Sequence, residues 1–290
     1  MFKITDEENY WRSVLGFGQP KCGKTSFALT APQPILVLNF DGGVPGLPPG
    51  VNGSEVYIQN YPPAEVNPDL TKSGWARSTV LGQAMMQDIL DVRNQLMAGA
   101  QELNMTDHFT KQVVQIPRPQ TIVLDGLVEF NQALLDWLLA KEGHKDPSDA
   151  GSDTLQFWGK RLDRFNNLLR FLLPAPVHKV LNTWDTAEMV KAPGAKMAEP
   201  TGVRTPDIGG KLDSWAAGKV DASLYFYTEK RQDGVRHFVC TKPNAKVKCV
   251  GVRSRFDLPE QVDITVNSKE ISSPTYLSPW EKVWGKAKVR

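Results

Sequence analysis

Eight residues near the start of the chain limit what it can become. Gly18-Gln19-Pro20-Lys21-Cys22-Gly23-Lys24-Thr25 fits GxxxxGK[ST] at each fixed position. The apolar residues 11–17 before it read as a short buried strand. Residues 23–30 after it read as a helix, ended at Ala31-Pro32 because proline disfavours helical geometry in the residue before it. A strand that turns through glycines into a helix is the setting in which this pattern holds phosphate. Gly18 and Gly23 allow backbone angles and close approaches that a Cβ would block. Inward-pointing backbone N–H groups and the start of a helix favour an anion. Lys24 is placed to reach the β- and γ-phosphates, and the Thr25 hydroxyl to reach Mg²⁺. The expected nucleotide-binding set is Gly18, Gln19, Pro20, Lys21, Cys22, Gly23, Lys24, Thr25 and Ser26, with ATP and Mg²⁺ as cofactors. Cys22 reads as a small filler inside the loop.

The rest of the chain supplies partners for such a loop. Residues 34–41 (PILVLNFD) and 121–125 (TIVLD) are apolar runs of strand length, each ending in an acid. Ligands in open α/β sheets bind at the carboxyl ends of strands. Asp125 is therefore expected beside the loop as the second magnesium ligand. Asp41, before two glycines, is expected to orient the attacking water, with Glu129 as its rival. Residues 76–98, 127–141 and 155–172 have helical spacing, and residues 177–183 read as another strand. Residues 100–118 read as a polar connection. Strands alternating with helices imply βαβ units and a mostly parallel sheet with helices on both faces. Residues 186–219 are rich in Gly, Pro, Ala and Lys and read as irregular. SLYFYTEK and VRHFVCTK follow, joined through Gln232-Asp233-Gly234, a hairpin signal, and KVKCVGV adds a further candidate strand. The fold class is α/β with a β-rich C-terminal part. The expected domain covers residues 1–265, followed by a tail at 266–290 in which Trp280 and Trp284 lie four apart and suit an amphipathic turn.

Composition excludes several classes. Three cysteines without a CxxC pair or a histidine cluster make neither a disulfide framework nor a structural zinc site. His144, His178 and His237 are scattered and read as surface or core residues. No apolar run approaches the ~18 residues that cross a bilayer, and the polar, acidic beginning is not a secretory signal. A cytoplasmic protein without a membrane partner is expected. Net charge is +2 from 34 basic and 32 acidic residues, which by itself says nothing about nucleic acid. Its distribution says slightly more, because residues 242–255 carry five basic groups and no acid.

Taken in order, GQPKCGKT, an acid-Gly-Gly after the second strand, TIVLDGL and the late VGVRSRFDLP resemble the RecA-like ATPases of bacteriophages. More narrowly, they resemble the short single-strand annealing recombinases that keep only the RecA-type core. The resemblance spans roughly residues 10–265. It implies ATP bound between neighbouring subunits of a filament or ring, with Arg253 and Arg255 inserted toward a neighbour's γ-phosphate and Lys242 and Lys248 as weaker candidates. It implies single-stranded DNA as the partner, a DNA loop within residues 186–219, and a single-strand-binding protein as a further partner; a phage-encoded chain would act in the host bacterial cytoplasm. It also implies a polar sensor after the strand at 177–183, where Thr183 and Asp185 both fit. Two other readings open with the same loop. One is a small-molecule kinase for nucleosides or nucleotides, which the β-rich C-terminal third fits poorly as a lid. The other is an ATPase motor or assembly factor acting on protein or packaged DNA.

Overall fold

A computed structural model describes residues 11–42, 46–48, 51–61, 81–144, 154–190, 197–209, 212–232, 234–253, 256–267, 271–273 and 275–285. β1 (Ser13–Gly18), β2 (Ile35–Asn39), β3 (Val56–Asn60), β6 (Thr121–Asp125), β7 (His178–Val190) and β9 (Ala222–Arg231) form a parallel sheet in the order β3-β2-β6-β7-β1-β9. β10 (Gly234–Cys240) and β12 (Gln261–Asp263) extend it in antiparallel sense, and the short β11 (Gly251–Val252) pairs with β9. β1, β2 and β6 bury every side chain, as parallel strands covered on both faces must.

Alternation along each strand sorts the two cores. Leu15, Leu36, Leu38, Leu124 and Leu181 face α2 (Leu81–Met97), α3 (Leu127–Lys141) and α4 (Thr154–Leu172). Val14, Val37, Val123, Val180 and Phe226 face α1 (Lys24–Ala28) and α6 (Pro279–Trp284). The segment read as a tail thus packs on the core. Ser278 and Glu281 form a capping box that starts α6, and the Trp280 ring lies 5.2 Å from that of Phe27 in α1.

Two expectations change. Residues 102–117 are not a plain connection but a hairpin of β4 (Glu102–Thr106) and β5 (Val113–Pro117). Its inward side chains, Leu103, Met105 and Ile116, join the core against α2. Nor is the stretch after residue 186 irregular. β7 runs on past the sheet and pairs with β8 (Glu199–Asp207), and α5 (Leu212–Lys219) follows. Neither strand of that hairpin buries a full face beyond Trp184, so no period-2 pattern marks it. No helix among the described residues is long and apolar enough to cross a membrane.

Candidate functional site

Register builds the site. The pairing Asn60–Asn39–Asp125–Asn182–Gly16 runs level across β3, β2, β6, β7 and β1. Each of these residues stands two positions beyond a valine or isoleucine of the α1-side core, or pairs with one that does, so the row faces α1. Asn39, Asp125 and Asn182 are all buried. The Asn39 amide donates to Asn60 Oδ1 at 2.7 Å, and the Asn182 amide donates to Asp125 Oδ1 at 3.0 Å. Gly16 completes the row because a Cβ there would stand 2.9 Å from Asn182 Oδ1.

The loop at the end of β1 meets this row. Gly18 has φ 152°, and a Cβ on it would lie 2.1 Å from the Phe226 carbonyl, so no other residue fits. Gly23, at φ 100°, turns the chain into α1. The Lys24 ammonium lies across the loop, donating to the carbonyls of Gly18 at 2.6 Å and Gln19 at 2.9 Å. Thr25 Oγ1 donates to Asp125 Oδ2 at 3.0 Å. Lys24 and Cys22 are buried, Ser26 is half-buried, and Gln19, Pro20 and Lys21 are exposed on the loop's shoulder. Burial pushes the Cys22 thiol up, which keeps it protonated and inert.

The predicted acids gather as expected. Asp125 is held above the usual carboxylate range, first by burial and then, against the Asn182 hydrogen bond, by Asp41. A Cβ on Gly126 would lie 2.8 Å from Asp41 N and 3.0 Å from Glu129 Oε2. Asp41 and Glu129 therefore flank the same small space beside Asp125. Asp41 is exposed; Glu129 is half-buried, and its Oε2 has no hydrogen-bond partner among the described residues. Burial pushes the Glu129 carboxyl up, and Asp41, Asp125 and Asp207 push the same way. A hydroxyl and a carboxylate side by side are hard oxygen donors of the kind Mg²⁺ takes together with water and substrate phosphates. The residues present fit magnesium and a nucleoside triphosphate.

Other candidates lie elsewhere. Arg253 sits at the amino edge of the sheet, where its guanidinium meets Asp221 Oδ1 at 3.3 Å and the carbonyls of Val220 and Lys219. Arg255 lies outside the described residues. Lys242 is exposed, and Lys248 pairs with Glu188 of the β7–β8 hairpin at 2.8 Å. Thr183 points away from Asp125 and donates to the Asp207 carbonyl. Asp185, its side chain 2% exposed, faces Arg204 at 3.6 Å. A cleft of about 670 Å³ separates this hairpin from the phosphate loop, lined by Gln19, Pro20, Cys22, Arg204, Tyr225 and Tyr227 among others.

Two residues beside the loop and Asp125 were not assigned to the site from the sequence. Asn182 stands next to Asp125 and donates to it; matching the ends of the runs VLN and VLD would have found it. His237 adjoins Gly23, and no linear pattern points to it, since β10 and the loop meet only through the sheet.

The profile of a protein family described as an AAA domain matches residues 11–248. A comparison with curated proteins finds no match. Among solved structures, the chain is similar to a KaiC-like protein of the hyperthermophilic archaeon Pyrococcus horikoshii OT3. The two are 11% identical, with 89% of this chain and 86% of that one covered and a TM-score of 0.39.

Proposed function

This chain belongs to the AAA-domain family of P-loop ATPases, and from that premise we propose that it hydrolyses ATP while assembled on single-stranded DNA, as a recombination or strand-annealing protein. The observation that carries the ATPase half is the Thr25–Asp125 contact at 3.0 Å beneath a loop that only glycines can form. Thr25 and Asp125 would hold magnesium, which when bound would supply charge neutralisation for the phosphates. Lys24 turns from the loop carbonyls to the β- and γ-phosphates. Asp41 takes the proton of the attacking water, in competition with Glu129. Asn182 holds the Asp125 carboxylate in place through its amide N–H, with its Oδ1 turned toward Gly16.

The DNA half has separate support. It comes from the motif order in the sequence and from the cleft shared by the loop and the β7–β8 hairpin, into which Arg204 and Lys246 project basic groups. A ligand there touches Gln19 and Pro20, so its occupancy and that of the nucleotide are felt by one loop. In this reading copies of the chain form a filament or ring in the cytoplasm, a single-strand-binding protein presents the DNA, and Arg253 and Arg255 reach a neighbour's γ-phosphate.

The test is ATP hydrolysis by pure protein with and without single-stranded oligonucleotide, beside Lys24→Ala. Stimulation by single strands, absent in the variant, is the expected result. Turnover indifferent to DNA would leave the ATPase and remove the recombination reading. Arg253→Ala and Arg255→Ala are expected to lose turnover while keeping ATP binding; unchanged turnover in both removes the interface role.

A further inference from the structure

The strand pairing carries β10 past the phosphate loop. Gly18 is level with Phe226, Phe226 with Val239, and Thr228 with His237. His237 therefore stands two residues beyond the level of Gly18. Alternation puts its side chain on the face of Val239, which packs with α1. There it meets the loop: a Cβ on Gly23 would lie 3.4 Å from His237 Nδ1 and 3.5 Å from Ile264 Cδ1. Nδ1 is buried and has no hydrogen-bond partner among the described residues.

The main chain around that ring is already committed. His237 N–H donates to Thr265 Oγ1 at 2.8 Å, and the His237 carbonyl accepts from Ile264 N–H at 2.9 Å. Thr265 N–H donates to Asp263 Oδ1 at 2.9 Å, and its carbonyl accepts from Lys282 Nζ at 2.6 Å. A pinned wall thus stands beside Gly23 with one buried ring nitrogen unmet. Such an atom destabilises the fold unless a ligand or water meets it.

Sheet order says which end of a nucleotide comes here. Thr25 faces Asp125 on β6, whereas His237 belongs to β10, on the other flank of the loop in the order β10-β9-β1-β7-β6. A triphosphate whose metal-bound end lies at Asp125 has its nucleoside end toward β10. We propose that His237 is a nucleotide-contacting residue whose Nδ1 hydrogen-bonds a ribose hydroxyl where the nucleotide leaves the loop past Gly23. A ribose hydroxyl both donates and accepts, so either tautomer of the ring serves. This assignment rests on the reading of the loop as a nucleoside triphosphate site. It also makes residues 263–265 and Lys282 of α6 the support of the nucleoside side.

Calorimetric binding of Mg·ADP and of magnesium tripolyphosphate tests it in the wild type, His237→Ala and His237→Gln. The substitutions leave the main-chain bonds to Thr265 and Ile264 in place. In His237→Ala, ADP is expected to bind about tenfold more weakly, tripolyphosphate with unchanged affinity. In His237→Gln, which keeps a donor and an acceptor, part of the ADP affinity should return. Equal losses for both ligands would mean a disturbed loop, and unchanged ADP affinity would mean no contact; either overturns the assignment. A wild type that binds neither ligand overturns the nucleotide reading itself, and this assignment with it.

Discussion

The two edges of the central sheet both bury polar groups but meet their hydrogen-bonding needs differently. At the amino edge Asp221, Lys179 and His178 each find a partner inside the chain. Asp221 accepts from Ser13 N–H and Ser13 Oγ, both at 2.8 Å, and meets Arg253 at 3.3 Å. Lys179 donates to the carbonyls of Leu173 and Ala175 at 2.8 and 2.7 Å. His178 Nδ1 accepts from Arg12 N–H at 3.1 Å. At the carboxyl edge, buried atoms of Glu129, Asn182 and His237 lack partners among the described residues. The second edge gathers unmet atoms around the phosphate loop, as an edge shaped for a ligand would, while the paired groups of the first close the fold. The contrast also bears on Arg253: in its own chain it belongs to the closing edge, and serving a neighbour's nucleotide needs that edge to face another subunit's carboxyl edge.

Substitutions at the two edges should therefore fail differently. Lys24→Ala is expected to reduce ATP turnover by at least about a hundredfold, the size seen when one preorganised charge donor is removed, with little change in the urea midpoint. A loss of stability equal to the loss of activity would break the distinction. Asp221→Ala should do the reverse. It removes the acceptor of two Ser13 bonds and the carboxylate facing Arg253, and a loss of roughly 3 kcal/mol of unfolding free energy is expected. Nucleotide affinity, measured below the melting temperature, should stay near that of the wild type.

His178 sharpens the comparison through pH. Burial, then Arg12 and Lys179, hold its pKa down at about 4 against 6.5 for the free side chain. Between those values the unfolded chain binds the extra proton, so stability rises with pH across that window and falls as the solution is acidified from 6.5 toward 4. The full effect is about 3 kcal/mol. His178→Gln keeps an acceptor for Arg12 N–H but does not titrate. Denaturant unfolding of both proteins at pH 7 and pH 5 should show a smaller fall in the variant, and parallel falls would mean His178 is not buried neutral.

The two acids that flank the site should separate by turnover. If Asp41 takes the proton from water, Asp41→Asn lowers turnover by about a hundredfold or more, and Glu129→Gln by less than about tenfold with ATP affinity kept. The reverse ranking would transfer the role to Glu129, whose half-buried carboxyl is already held above the usual range.

The loop, Asp125 and the parallel α/β core were legible in the sequence because their causes are local. Glycines at fixed offsets set backbone angles, and continuous apolar runs mark strands buried on both faces. The helix read at 127–141 matches α3 for the same reason, since its spacing shows without knowledge of its partners. The β7–β8 hairpin gave no such signal because neither of its outer faces is buried. The β4–β5 strands are five residues each, too short for alternation to stand out.

What only the tertiary structure decided is which distant residues stand level with the loop. Asn182 became the partner of Asp125, rather than Thr183 or Asp185, because pairing with β6 and β1 sets its height and face. His237 reached Gly23 because the registers of β1 with β9 and of β9 with β10 add up to that position. A segment's own residues determine whether it is a strand or a loop that binds phosphate. They do not determine its height in the sheet, which depends on hydrogen bonds to strands that are remote in the chain.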